Sequence, residues 1–154
     1  MSKQVNKRLV KSFYTEVVGR GDLTELERFI SPHYLDHNNP GAGQGPGVVR
    51  AHLAGIRATF PDFTLRVEQV LAEGDLVVTR LTGVGTHLGL WMGIEPTGDR
   101  IKVKGINIDR VLEGRLVEHW GEADTVGMLI QMGVDPFQGG AENETLAAQD
   151  PHKH

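Results

Sequence analysis

The chain has 154 residues, a formal net charge of −4 and a pI near 5.9, with 39% hydrophobic and 23% charged residues, which fits one soluble globular domain able to bury its own core. It has no Cys, which excludes a disulfide scaffold, a thiol nucleophile and thiolate metal ligands. The acidic balance without a basic block excludes a nucleic-acid surface, and no apolar run approaches the ~20 residues of a membrane-spanning helix.

Val5, Leu9, Val10, Phe13, Tyr14, Val17 and Val18 recur at helical spacing, and Gly19 and Gly21 end that helix. Asp22 reads as the N-cap of a second, short helix, with Glu25 as its capping-box partner and Leu23, Leu26, Phe29 and Ile30 as its buried face. Ser31-Pro32 breaks it. Residues 33–47 are rich in Pro and Gly and read as irregular backbone. A third helix starts near Pro46, with Val49, Leu53, Ile56 and Phe60 on its stripe, and stops at Pro61.

From residue 63 the period becomes two. Strands are expected at 63–69, 76–86, 101–112 and 116–120, with Glu113-Gly114-Arg115 as a hairpin turn and a long connection over 87–99. Asp124 then caps a last helix through Met132, and Gly133 occupies its C-terminal cap. Residues 136–154 read as a flexible C-terminal tail behind a domain of residues 1–135. Segregated helices and meandering strands give an α+β fold, with helices on one face of a curved antiparallel sheet.

The chemistry available is His, Asp, Asn and Arg. On the third strand, alternation puts Asn107 and Asp109 on the face shared by Ile101, Val103 and Val111. Either they line a cavity under the helices, or they satisfy backbone or water, because unpartnered buried polar groups cost a few kcal/mol each, on the order of 2–7. On the fourth strand His119 is the best-placed base, since imidazole titrates near neutrality. The alternative is a satisfied core or edge His. Asp124 either caps its helix alone or also aims a carboxylate at the cavity mouth. His33, Asp36 and His37 do not make a metal site, because His-x-x-x-His needs a helix and Pro32 and Pro40 bracket the segment. His37 and Asn38 could instead close a loop over a pocket. The Gly41–Gly47 run follows no strand and lacks a Lys-Ser/Thr, so it is no phosphate loop.

Several segments taken together carry a resemblance: Tyr34-x-x-His37, Phe60-Pro61-Asp62, Thr86-His87-x-Gly89, Gly93-Ile94-x-Pro96-Thr97-Gly98, the run from Arg110 to Trp120, Asp124-Thr125 and Met128 to Gly133. The sequence resembles the SnoaL-like polyketide cyclase, or ester cyclase, family over about residues 5–135. That resemblance implies a cone-shaped α+β roll of the nuclear-transport-factor-like type around a deep pocket. It also implies intramolecular aldol chemistry without a cofactor or metal, in which an Asp moves the proton. The position of that family carboxylate is Gly121 here, and the family's pocket His and Gln fall at Asn107 and Gly105.

These readings combine into expectations. His119, Asp124 and His37 are the candidate catalytic residues. Asn107, Arg80, Asp109, Tyr34 and Trp91 are the candidate substrate-binding residues, with Arg80 and His37 placed near the pocket by the resemblance. The substrate is a small, largely apolar, polyketide-like carbonyl compound. The alternative is a non-catalytic small-molecule-binding protein of the same fold, favoured by Gly121. Ile106, Ile108, Leu112 and Trp120 fall on the sheet face that helices cannot cover, so a homodimer through that face is expected. Ser2, Lys3, Gln4 and Asn6 follow Met1 in place of an apolar run, so no secretory leader, no membrane partner and a cytoplasmic location are expected.

Overall fold

The protein is described, over residues 2–137, from a computed structural model. The expected tail lies, from residue 138 on, outside the described residues. Helix α1 spans Lys3–Ser12, is capped by the Ser2 hydroxyl, and runs on as a wider π-helical stretch over Phe13–Gly19. Helix α2 is a single turn, Leu26–Phe29. Asp22 does not cap it. Its carboxylate accepts from the backbone N–H and the hydroxyl of Thr24, a local turn that competes with capping. Helix α3 spans Pro46–Thr59, and α4, Thr125–Gln131, is capped as expected by Asp124, which accepts from the Gly127 N–H at 2.9 Å. Gly133, with φ 83°, follows the last turn.

The sheet has five strands: β1 Ile30–Asp36, β2 Thr64–Glu73, β3 Leu76–Thr86, β4 Arg100–Leu112 and β5 Arg115–Ala123, in the spatial order β1-β5-β4-β3-β2. Neighbours among β2 to β5 pair antiparallel, whereas β1 pairs parallel with β5. Strand β1 corrects the expectation of a helix end and irregular backbone at 30–36. Pro32 is tolerated because β1 is an edge strand and its register slips between Ile30 and Leu35.

The helices pack on one face of this sheet. Val10, Phe13 and Val17 from the first helix meet Leu26, Phe29, Ile30, Val77, Val111 and Leu116 in the main core. Full burial of such side chains contributes about 1.5–3 kcal/mol each. A second cluster joins Phe60, Phe63 and Ile101 to Met128 and Met132 of α4. Here α3 turns into β2 against a backbone stripped of side chains. A Cβ at Gly85 would come within 2.7 Å of the Phe60 Cβ, and one at Gly83 within 2.7 Å of the Phe63 ring. Asp62 fixes the same turn by accepting from the Thr86 N–H and hydroxyl, both at 2.7 Å. The opposite, outer face of the sheet carries Ile106, 50% exposed, and Ile108, 37% exposed. Among the described residues no helix is long and apolar enough to cross a membrane.

Candidate active site

Between the helices and the inner sheet face lies a cavity of about 400 Å³. Its apolar wall is Phe13, Val18, Val49, Leu53, Ile56, Phe63, Leu65, Leu81 and Val103. Its polar end gathers Tyr14, Tyr34, Asp36, Asn38, His52, Asn107 and His119. Strand register explains the convergence. His119 stands opposite Asp36 on one side and Asp109 on the other, and Asn107 stands opposite Gly121. No Lys or Arg is among the lining residues.

Behind His119 runs a buried chain of hydrogen bonds. Its Nδ1 lies 2.8 Å from Asp109 Oδ1, and the Tyr14 hydroxyl donates to Asp109 Oδ2 at 2.6 Å. Asp109 is wholly buried, so both of its oxygens are satisfied by these two contacts. A carboxylate only accepts, so Nδ1 must carry the proton and Nε2 is left facing the cavity. Burial by itself would lower the His119 pKa. The hydrogen bond to Asp109, with the charges of Asp109 and Asp36, outweighs it and holds the imidazole above its ordinary value. Burial, and then Asp109, push the Tyr14 phenol well up, so it stays a donor. Burial and the two nearby carboxylates push the Tyr34 phenol up in the same way. At the solvent-exposed mouth, His52 is crowded on its protein side, and this desolvation sets its pKa below the ordinary value despite Asp36.

Gly121 is what lets these groups meet. A Cβ there would overlap Asn107 Oδ1 and come within 2.8 Å of His119 Nε2. The Asn107 carboxamide therefore occupies the space that a side chain at 121 would claim, and it has no partner among the described residues. Asn38 clamps the same glycine: its carboxamide donates to the Gly121 carbonyl and accepts from the Gly121 N–H at 2.8 Å. The side chain thus continues the β1–β5 pairing one step beyond the end of β1.

The structure brings Tyr34, Asn107 and His119 together at the cavity, with Asp109 directly behind. It places four other expected residues elsewhere. Arg80 follows Thr79 and precedes Leu81, both facing inward, so it points outward and meets Gln69 at 3.3 Å. His37 has the opposite parity to Asp36, so it too is on the outer face, stacked on Trp120 with centroids 4.6 Å apart and 2.8 Å from Glu118. Asp124 spends its carboxylate on the α4 cap, although its neighbours Ala123 and Thr125 line the cavity. Trp91 packs in the 87–99 connection against the Phe60 cluster. Sequence reasoning missed Tyr14, Asp36 and His52 as site residues. Tyr14 falls within the core stripe of the first helix, and its hydroxyl, which when buried needs a partner, is the one signal that sets it apart. Among the described residues no group of three or more His, Asp or Glu is placed to hold a metal ion.

The family model of SnoaL-like polyketide cyclases matches residues 8–132. The nogalonic acid methyl ester cyclase of Streptomyces nogalater is 32% identical over 136 residues, covering 84% of this chain and 94% of that protein. Among solved structures, IdmH of Streptomyces antibioticus is 34% identical with a TM-score of 0.73, covering 84% of this chain and 99% of its own. TsrD of Streptomyces laurentii is 28% identical with a TM-score of 0.78, covering 86% and 98%. The chain belongs to the SnoaL-like polyketide cyclase family.

Proposed function

We propose that this protein is a cofactor-independent acid/base enzyme that closes a ring in a neutral polyketide ester by intramolecular aldol addition. The observation that carries the reading is the buried Tyr14–Asp109–His119 chain, ending in an imidazole nitrogen that faces a largely apolar cavity. His119 Nε2 handles the proton. Asp109 fixes the tautomer and supports the imidazolium, and Tyr14 holds Asp109. Asn107 and Tyr34 offer unpartnered polar groups for carbonyl oxygens, and the apolar wall takes the ring system. A proton between two carbonyl groups is acidic enough for a carboxylate or imidazole to remove, so the reaction asks for no further group. The relatives' ester substrates favour this class. We place the reaction in the cytoplasm.

The test is incubation of the purified chain with nogalonic acid methyl ester and aklanonic acid methyl ester, with the products resolved chromatographically. Turnover is expected, and His119→Gln should lower it by roughly 10²–10⁴. Tight binding of both esters without turnover would instead establish the second reading, a non-catalytic binding protein. Gly121 favours that reading, because no carboxylate stands at that position.

A further inference from the structure

We propose that proton transfer in this cavity is divided between two residues: Asp36 Oδ2 removes the carbon-bound proton, and His119 Nε2–H protonates the oxygen. This assignment rests on the cyclase reading and adds a catalytic residue to it.

The geometry of Asp36 is that of a base. It ends β1 directly opposite His119, on the inner face, and is 9% exposed with that exposure on the cavity. One oxygen, Oδ1, is fixed by the Asn38 N–H at 2.8 Å. The other has no partner among the described residues, yet is not sealed from the cavity. A carboxylate with one oxygen anchored and one free is held in place and still able to accept a proton. Asp109 cannot take this role, because the Tyr14 hydroxyl and the His119 ring occupy both its oxygens and it touches no cavity surface. The titratable groups facing Asp36 are Tyr34 on its own strand, Tyr14 from the first helix, His52 from α3, and the His119–Asp109 pair from β5 and β4.

The geometry of His119 is that of an acid. Two carboxylates flank the ring, and both favour its protonated form. The two environments separate the roles: Asp36 offers a free carboxylate oxygen to the cavity, and the imidazole, flanked by two carboxylates, carries a proton to give. The step balances without a co-reactant. Asp36 Oδ2 takes the proton from the carbon between the two carbonyls, and the C–H pair becomes the enolate. The enolate carbon forms a bond to the ketone carbon, whose π pair moves to oxygen. His119 Nε2–H protonates that oxygen. Transfer of the proton from Asp36 to His119 restores both groups, and the product is an isomer of the substrate.

The two half-steps can be measured apart. Methyl 2-methylacetoacetate has the acidic carbon but no ketone placed for closure, so its deuterium uptake in heavy water, followed by NMR, reports proton removal alone. Cyclisation of aklanonic acid methyl ester reports both steps. Asp36→Asn is expected to lose catalysed exchange and cyclisation together, each by roughly 10²–10⁴. His119→Gln should keep exchange within about tenfold while losing cyclisation. Asp36→Glu, which keeps the carboxylate, should recover part of the exchange and so separates loss of the base from loss of the fold. Exchange unaffected by Asp36→Asn overturns the assignment, as does exchange lost in His119→Gln but kept in Asp36→Asn. A wild-type chain that exchanges and cyclises neither probe overturns the cyclase reading itself, and this assignment with it.

Discussion

Tyr14 and Asp109 are 95 positions apart in the chain and 2.6 Å apart in space. A wholly buried carboxylate would be costly if unpartnered, and here it takes a phenol on one oxygen and an imidazole on the other. Strand parity in the sequence already put Asn107 and Asp109 on one face and offered His119 as a base. It could not show that Asp109 stands behind His119 rather than in the pocket, since that depends on the register of β4 against β5. The pairing also has a consequence for stability. The folded-state pKa of His119 lies above its ordinary value, so folding favours the protonated ring. Its contribution is therefore complete below the unfolded pKa, about 6.5, and is lost as pH rises through the folded value. As pH rises from about 6.5 through that folded value, the wild-type chain should lose more stability than His119→Gln, read by urea unfolding at each pH. Parallel pH profiles for the two proteins would show that the ring gains nothing from its carboxylates.

At the scale of elements, α1, α3, the β2–β5 meander and α4 were legible from periodicity, because each buries one face against the rest. Strand β1 was not. Its Ser31-Pro32 and the following Gly-rich stretch read as a break, and only pairing along β5 makes it a strand. Missing β1 hid Asp36, and the inward alternation of Tyr34 and Asp36 against outward Leu35 and His37 follows only once the strand is granted. The Phe60-Pro61-Asp62 segment, noticed as a family likeness, proves to be the corner that seats α3 on the sheet, with Gly85 admitting the Phe60 side chain. Gly85→Ala should therefore destabilise the fold by about 1–3 kcal/mol through overpacking. Gly41→Ala, where a Cβ meets nothing within 4 Å, should be far milder. Thermal melts of the two variants compare them directly, and equal midpoints would mean that Phe60 yields without cost.

For the whole molecule, one sheet face is spent on the helices and cavity, and the other remains to be covered. Ile106 and Ile108 are half-exposed on that outer face, near Trp120, which packs against His37. Lys102, Lys104 and Arg80 lie around them on the same face, with Glu68 and Glu122 supplying the opposite sign. An apolar centre within a mixed-charge rim is the pattern of an association surface, and a two-fold contact of the sheet with its own copy would bury both isoleucines twice. We expect a homodimer through this face. It would also hold β4 and β5 rigid from behind, and these strands carry Asn107, Asp109 and His119. Sedimentation at micromolar concentration should give a dimer for the wild-type chain. Ile106→Glu combined with Ile108→Glu should give a folded monomer, because both side chains point away from the core and a carboxylate there meets only solvent once the partner is gone. A wild-type monomer at that concentration would overturn the expectation. A charged variant that still sediments as a dimer would move the interface elsewhere on the molecule.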